Sequence, residues 1–355
     1  MFNEILINKT DLGITRIESG NGPAQPEEGQ ALLEVESFGL TANNISYAAT
    51  GDALGYWAYF PAEEGWGQLP VWGFARVVES RCEHVAAGER LFGYLPLASH
   101  LLVTPAQADS LCLADATPHR APLHPWYNRY YRCAADPVRS ESAEPLQPVL
   151  WALFMTGWML AHELSGAVER VYVSSASSKT ALALAWAMAQ QRSGTRCVGI
   201  TSAAHADFVR ELGIYEDVLT YDSLDSLEET HRSAYVDIAG NAAATSAAHF
   251  ALGDHLADSV LLGATHRAPS ATPLPMPGPA PRFFFIPAVA EERAAEEGLA
   301  AYHQRFAEAW QPFAAWAGSW LEIETGTGAE AIEQAYQQIV AGRVPAQRAG
   351  VFSWA

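Results

Sequence analysis

The stretch that most restricts the possible folds is Arg170-Val-Tyr-Val-Ser-Ser-Ala-Ser-Ser-Lys-Thr-Ala181, an apolar strand that runs through small residues directly into a helix. It opens a region whose hydrophobic period keeps switching. Short apolar segments at Arg170–Ser174, Cys197–Thr201, Val218–Tyr221, Tyr235–Ile238 and Ser259–Gly263 alternate with helical patterns at Thr180–Gln191, Ala204–Leu212 and Ala242–Ala251, and a further helix is predicted over Trp151–Leu164. Strands alternating with helices predict βαβ units and a parallel, doubly wound sheet, which binds ligands at the carboxyl ends of its strands.

A strand that turns tightly into a helix leaves free amides at the helix N-terminus, where a pyrophosphate can bind. Rossmann-type sites normally use glycines for this approach. Here the glycine positions fall near Ser175, Ser178 or Lys179, and Ala181, so small residues replace most of them and a lysine enters the turn. The hydroxyls of Ser174, Ser175, Ser177, Ser178 and Thr180, with the charge of Lys179, are the candidate phosphate contacts; the alternative is that Ser174 to Ser178 only cap the helix. A Walker A reading fails because Val173 and Ser178 stand where GxxxxGK[ST] needs its glycines. The second strand ends in Thr201-Ser202, without the Asp or Glu that binds a ribose 2′-hydroxyl, so NADP(H) is expected rather than NAD. Thr201, Ser202 and Tyr221, at strand ends, complete the expected cofactor contacts. His205 and Arg210 fit either a phosphate or a solvated helix face.

Before this region, Ala31–Ser37, Val71–Glu79, Glu89–Tyr94 and His100–Val103 read as short strands between Gly, Pro and Asn turns, which predicts an all-β domain. The segment Thr117–Pro137 carries Trp126, Tyr127, Tyr130, Tyr131 and three arginines, and suits either the lining of an active site or packing between domains. Ala268–Pro281 is too rich in proline for a helix or central strand and is expected as an extended surface loop. Ala329–Trp354 reads as a helix, a break at Gly342, and a strand returning to the first domain.

With 40 Asp and Glu against 21 Lys and Arg, the net charge of −19 repels nucleic acid and anionic membranes, which leaves a small-molecule ligand as the expected partner. The cysteines at 82, 112, 133 and 197 form no CxxC pair or dense framework, and residues 1–11 contain no apolar targeting core. Reduced thiols and a cytoplasmic location are expected.

Several segments together resemble the medium-chain dehydrogenase/reductase superfamily, quinone-oxidoreductase-like branch, and more closely a poorly characterised domain-of-unknown-function family attached to it. Leu32-Leu-Glu-Val-Glu-Ser-Phe-Gly-Leu40 is similar to its opening strand and glycine turn, and Gly88-Glu-Arg-Leu-Phe-Gly93 to its GDRVFG segment. Phe208–Gly213 with Asp217–Tyr221, and Val236-Asp-Ile-Ala-Gly240, are similar to parts of its cofactor domain. The resemblance implies a GroES-like β domain over 1–148, a Rossmann domain over 149–310, and a C-terminal return over 311–355. It also makes a homodimer plausible.

Zinc-dependent members carry a Cys after the glycine turn and a Gly-His-Glu in the following strand, whereas this chain has Gly39-Leu-Thr41 and Trp72-Gly-Phe-Ala75, so no metal is expected. A zinc-free reductase must hold its substrate by hydrogen bonds and draw a proton from a side chain or water. By resemblance, Thr41 takes the place of an Asn near the nicotinamide, Asn43 and Asn44 follow, and Tyr47 lies one residue beyond the usual Tyr. Tyr47 is the first candidate for substrate bonding, then Asn44 and Thr41; Tyr56, Tyr59, Tyr127 and Tyr130 are weaker alternatives. The expected function is NADPH-dependent reduction of a quinone, enone or other activated carbonyl. A ligand-binding protein without redox chemistry, and a lyase or isomerase acting on an acyl substrate, are the competing readings.

Overall fold

The computed structural model describes residues 2–106, 109–227, 229–262 and 276–355. Most of the proline-rich stretch expected as a loop, and the Gly263 end of one expected strand, lie outside the described residues. The chain forms two compact units, one made of Met1–Ala152 with Glu291–Ala355 and the other of Leu153–Ala290.

The second unit is a sheet of six strands. From one edge to the other they are Asp217–Thr220, Arg196–Thr201, Arg170–Val173, Ser233–Asp237, Leu256–Leu261 and Arg282–Phe283, and every neighbouring pair is parallel. Counted in chain order this is 3-2-1-4-5-6, the order of dinucleotide-binding domains, whose direction reverses between the first and fourth strands. The sheet's centre is buried on both faces, with Val171, Val173, Ala234 and Val236 on one and Tyr172 and Tyr235 on the other. Two glycines make its packing possible. A Cβ on Gly157 would lie 2.4 Å from the Leu184 amide nitrogen, so it lets the helix Gln147–Leu164 touch the backbone of Lys179–Gln191. A Cβ on Gly199 would lie 2.8 Å from that of Ala176, in the turn after the first strand. The helix predicted from Trp151 begins at Gln147, because Pro148 falls in the first turn, where a missing N–H costs no hydrogen bond.

The first unit holds a mixed sheet of nine strands and a smaller one of three, Thr15–Gly20, Phe2–Asn8 and Trp66–Gln68. At the centre of the large sheet, Ala31–Leu40, Pro70–Ser80, Arg90–Pro96 and Arg129–Arg132 pair antiparallel in that order. The expected return strand is present: Arg348–Ser353 pairs antiparallel with the end of Ala31–Leu40, Phe352 opposite Phe38. Leu33, Val35, Phe38, Val71, Leu91 and Leu95 form its core, with Ile332 and Tyr336 from the helix Ala329–Val340 packed against them. Helices at Ile286–Glu297 and Leu299–Ala317 have no counterpart in the sequence expectations. No described helix is long and apolar enough to cross a membrane. The sheets thus give the α/β architecture with a separate β unit that the sequence implies.

Candidate functional site

In the second unit the candidate site is the turn between Val173 and the helix Lys179–Gln191. Ser175 adopts a left-handed backbone, φ +53°, a conformation that favours glycine and costs other residues about 1 kcal/mol. The turn therefore keeps the glycine shape without the glycine. The protein's own side chains hold it there. Tyr221 accepts the Ser175 N–H at 2.9 Å, Tyr215 donates to the Ala176 carbonyl at 3.0 Å, and the Ala176 N–H donates to Ile200 O at 3.0 Å. Ser178 is the N-cap, its hydroxyl accepting from the Ala181 amide at 3.2 Å. Capping and tight turning coexist, so the two readings of Ser174 to Ser178 are not exclusive. The amides of Ser177 and Thr180 have no acceptor among the described residues, which leaves donors at the mouth of the turn.

The candidate cofactor residues divide into two groups. Ser174 is fully buried, and its hydroxyl donates to Asp237 Oδ1 at 2.9 Å while accepting from the Ile238 amide at 2.9 Å. It ties the ends of the first and fourth strands together. Asp237 completes this knot through the Gly240 N–H and the Thr245 hydroxyl, at 3.0 and 2.9 Å. The sequence reading missed Asp237 as a site organiser; a carboxylate closing an apolar strand was the signal. Thr201 is buried, and Arg210 is bonded to Asp207 and the Val218 carbonyl, which makes it part of the helix surface rather than a free phosphate ligand. Ser175, Ser177, Ser178, Lys179, Thr180, Ser202 and Tyr221 remain around the turn. Lys179 is half-buried in the first helical turn, and burial pushes its amine down to about 8.

In the first unit, Tyr47 lies on the helix Ala42–Ala49 and is buried with its hydroxyl accepting from Trp72 Nε1 at 3.1 Å. Trp72 thus supplies an indole N–H to the phenol. Tyr47 belongs to a cluster: its ring centroid is 4.7 Å from that of Tyr56, 5.5 Å from Tyr94 and 6.5 Å from Tyr127. The Tyr56 and Tyr127 hydroxyls are 3.3 Å apart, and Tyr59 donates to the His124 carbonyl at 3.0 Å. Burial, more than any other cause, raises the pKa of Tyr47, Tyr56, Tyr59, Tyr94 and Tyr127, so all five stay protonated through neutral pH.

Arg120 organises the segment that brings Tyr127 into this cluster. It is 1% exposed and donates to Asn128 Oδ1, Asp115 Oδ2, the Tyr130 hydroxyl and the Tyr127 carbonyl, at 3.0, 2.9, 2.9 and 2.9 Å. Tyr130 is thereby committed to the anchor, its phenol pushed up to about 12 chiefly by burial. Thr41 and Asn44 are also committed. Thr41 caps the helix, Asn44 Oδ1 accepts the Thr41 N–H at 2.8 Å, and Asn44 Nδ2 donates to the Pro70 carbonyl at 3.0 Å. Both therefore hold the helix that carries Tyr47. Gly39, in the preceding strand, is small for a related reason: a Cβ there would lie 2.4 Å from the Pro148 carbonyl oxygen.

A search of the curated proteins finds no match. Among solved structures, CurA from Vibrio vulnificus, also solved with NADPH, is similar at TM-score 0.62 and 14% identity over 100% of this chain and 99% of its own. The mitochondrial 2-enoyl thioester reductase Etr1p/Etr2p heterodimer from Candida tropicalis matches at 0.60 and 11% over 99% of each chain. CurK enoyl reductase matches at 0.58 and 14% over 100% of this chain and 99% of its own. At such identities the likeness shows the fold, which is the two-part fold of these reductases. The family described as "Protein of unknown function (DUF2855)" matches residues 38–345, and the chain belongs to that family.

Proposed function

We propose that the protein is an NADPH-dependent, zinc-independent oxidoreductase that reduces an enone, quinone or other activated carbonyl compound. The observation that carries this reading is the left-handed Ser175 in the first strand-to-helix turn of a 3-2-1-4-5-6 sheet: the backbone of a phosphate-binding turn has outlasted its glycines. The residues fit the cofactor. The amides of Ser177 and Thr180, the hydroxyls of Ser177 and Thr180 and the Lys179 ammonium would hold the pyrophosphate, and the absence of a carboxylate after Thr201 leaves room for a 2′-phosphate beside Ser202 and His205. When bound, the reduced nicotinamide supplies a hydride. Tyr47 is the group assigned to the substrate oxygen: Trp72 occupies a lone pair of its hydroxyl and so orients the O–H as a donor.

The similar structures add substance to the substrate class. Etr1p has been solved with NADP and crotonyl-CoA, and CurA with NADPH. A second reading, a ligand-binding protein that kept the fold without redox chemistry, draws on the turn's internal bonding, since Tyr221 already accepts the Ser175 N–H. Titration of the purified protein with NADPH and NADH, followed by nicotinamide fluorescence, separates the two. Tight binding of NADPH in preference to NADH is expected. Binding of neither removes the reductase reading and favours the second.

A further inference from the structure

Tyr94 lies on the strand Arg90–Pro96 and is fully buried, and its hydroxyl has no hydrogen-bond partner among the described residues. A buried hydroxyl without a partner destabilises the fold, so one that persists calls for an explanation. Its ring neighbours are phenols, one indole and the phenyl ring of Phe60. The ring centroid is 4.6 Å from that of Tyr127, 5.2 Å from Trp72, and 5.5 Å from both Tyr47 and Tyr59. In each of these neighbours the polar atom already has a partner, in bonds from Trp72 to Tyr47, from Tyr59 to His124 and between Tyr56 and Tyr127. Burial first, and the neighbouring phenols Tyr47, Tyr56 and Tyr59 after it, push the Tyr94 phenol well up.

We propose that the Tyr94 hydroxyl is a second substrate-oxygen donor, acting beside Tyr47, and that the pair selects a neutral, planar, oxygen-bearing ligand. This rests on the reading of the cluster as the substrate site. Ring faces on several sides fit a planar molecule. Neutrality follows from the cation nearest the cluster: Arg120 sits 5.6 Å from the Tyr59 ring, its charge is matched by Asp115, and four of its five N–H donors go to Asp115, Asn128, Tyr130 and the Tyr127 carbonyl. A carboxylate entering this desolvated cluster would find phenols but no free charge. Tyr56 is the side chain that would make room, since it rides on a three-residue turn after Gly55 and is held to Tyr127 by a single 3.3 Å contact.

The test uses para-nitrophenol at about pH 5.5, well below the near-neutral pH at which its nitro-acidified phenol ionises, so that the planar probe is neutral and its absorbance reports its environment, together with Tyr94→Phe. Removing a hydroxyl that only substrate satisfies should raise Tm, by about 2 °C. The same variant should weaken para-nitrophenol binding at least tenfold and leave the Trp72 to Tyr47 arrangement, followed by tryptophan fluorescence, unchanged. Unchanged probe affinity in the variant, a lowered Tm, or a wild-type protein that does not bind the probe each overturn the proposal. An NADPH titration run on the same samples reports on the reductase reading separately, because the turn at Ser175 belongs to the other unit.

Discussion

The serine turn of the second unit and the phenol cluster of the first are stabilised by opposite means. In the turn, side chains bond to backbone: Tyr221 holds the peptide group that enters Ser175, Tyr215 the one that leaves Ala176, and Ser178 closes the helix. In the cluster, rings pack on rings with few hydrogen bonds, and one buried guanidinium holds the segment that completes it. A turn held through its backbone should tolerate loss of a side chain but not a bulky one in its mouth. A cluster held by packing should tolerate loss of a hydroxyl but not of its anchor.

The largest effect is expected at that anchor. Arg120→Met removes four donated bonds and leaves the Asp115 carboxylate, 3% exposed, without its cation. A broken buried pair costs about 3–5 kcal/mol, so the urea midpoint should fall sharply. The double variant Arg120→Met with Asp115→Asn should recover part of that loss, because no unpaired charge remains. If the single variant loses less than about 1 kcal/mol, the anchor is not what orders the cluster.

The turn is tested by two substitutions at one residue. Ser175→Trp fills the mouth and should lower NADPH affinity about a hundredfold, some 2.7 kcal/mol, in a folded protein. Ser175→Gly relieves the left-handed strain and should leave affinity intact while stabilising the fold by about 0.5–1 kcal/mol. Should the tryptophan variant bind NADPH normally, the phosphate site is elsewhere; should the glycine variant lose stability, the turn is not strained.

The contrast also explains what could be read from the sequence. The alternation of strand and helix from Arg170 onward, and the place of the turn, were legible because period and order are local properties. The left-handed state of Ser175 was not, since serine there is held by Tyr221 and Tyr215, 46 and 39 residues away in the chain. Asp237, 63 residues from Ser174, was missed for the same reason. Tyr47, Tyr56, Tyr59 and Tyr127 were named singly as candidates, but their convergence with Tyr94 was not legible, because Tyr94 and Tyr127 are joined only through sheet pairing and Arg120. The use of Thr41 and Asn44 was not legible, because their spacing, three apart before an apolar helix, serves a helix cap as well as it serves a substrate.

A smaller effect concerns pH. Because burial lowers the Lys179 amine to about 8, the group is protonated below that pH and neutral above it. An anionic cofactor favours the ammonium, so NADPH affinity should be highest below pH 8 and fall as pH rises through it, by up to about tenfold per unit. Lys179→Met should flatten that profile. A wild-type profile flat from pH 7 to 9, as read by the fluorescence titration, places Lys179 outside the phosphate contacts.

The smallest expected effect discriminates most finely between the two uses of the Thr41 region. Thr41→Ala removes the cap of the helix Ala42–Ala49, worth about 1 kcal/mol, while Asn44 still bonds the Thr41 N–H and the Pro70 carbonyl. The helix start should fray slightly and Tyr47, nearly two turns on, should keep its bond from Trp72. A modest drop in Tm with unchanged para-nitrophenol affinity is therefore expected. If affinity instead falls tenfold at nearly constant Tm, the threonine hydroxyl bonds the ligand directly, and the cap is secondary to a role in substrate binding.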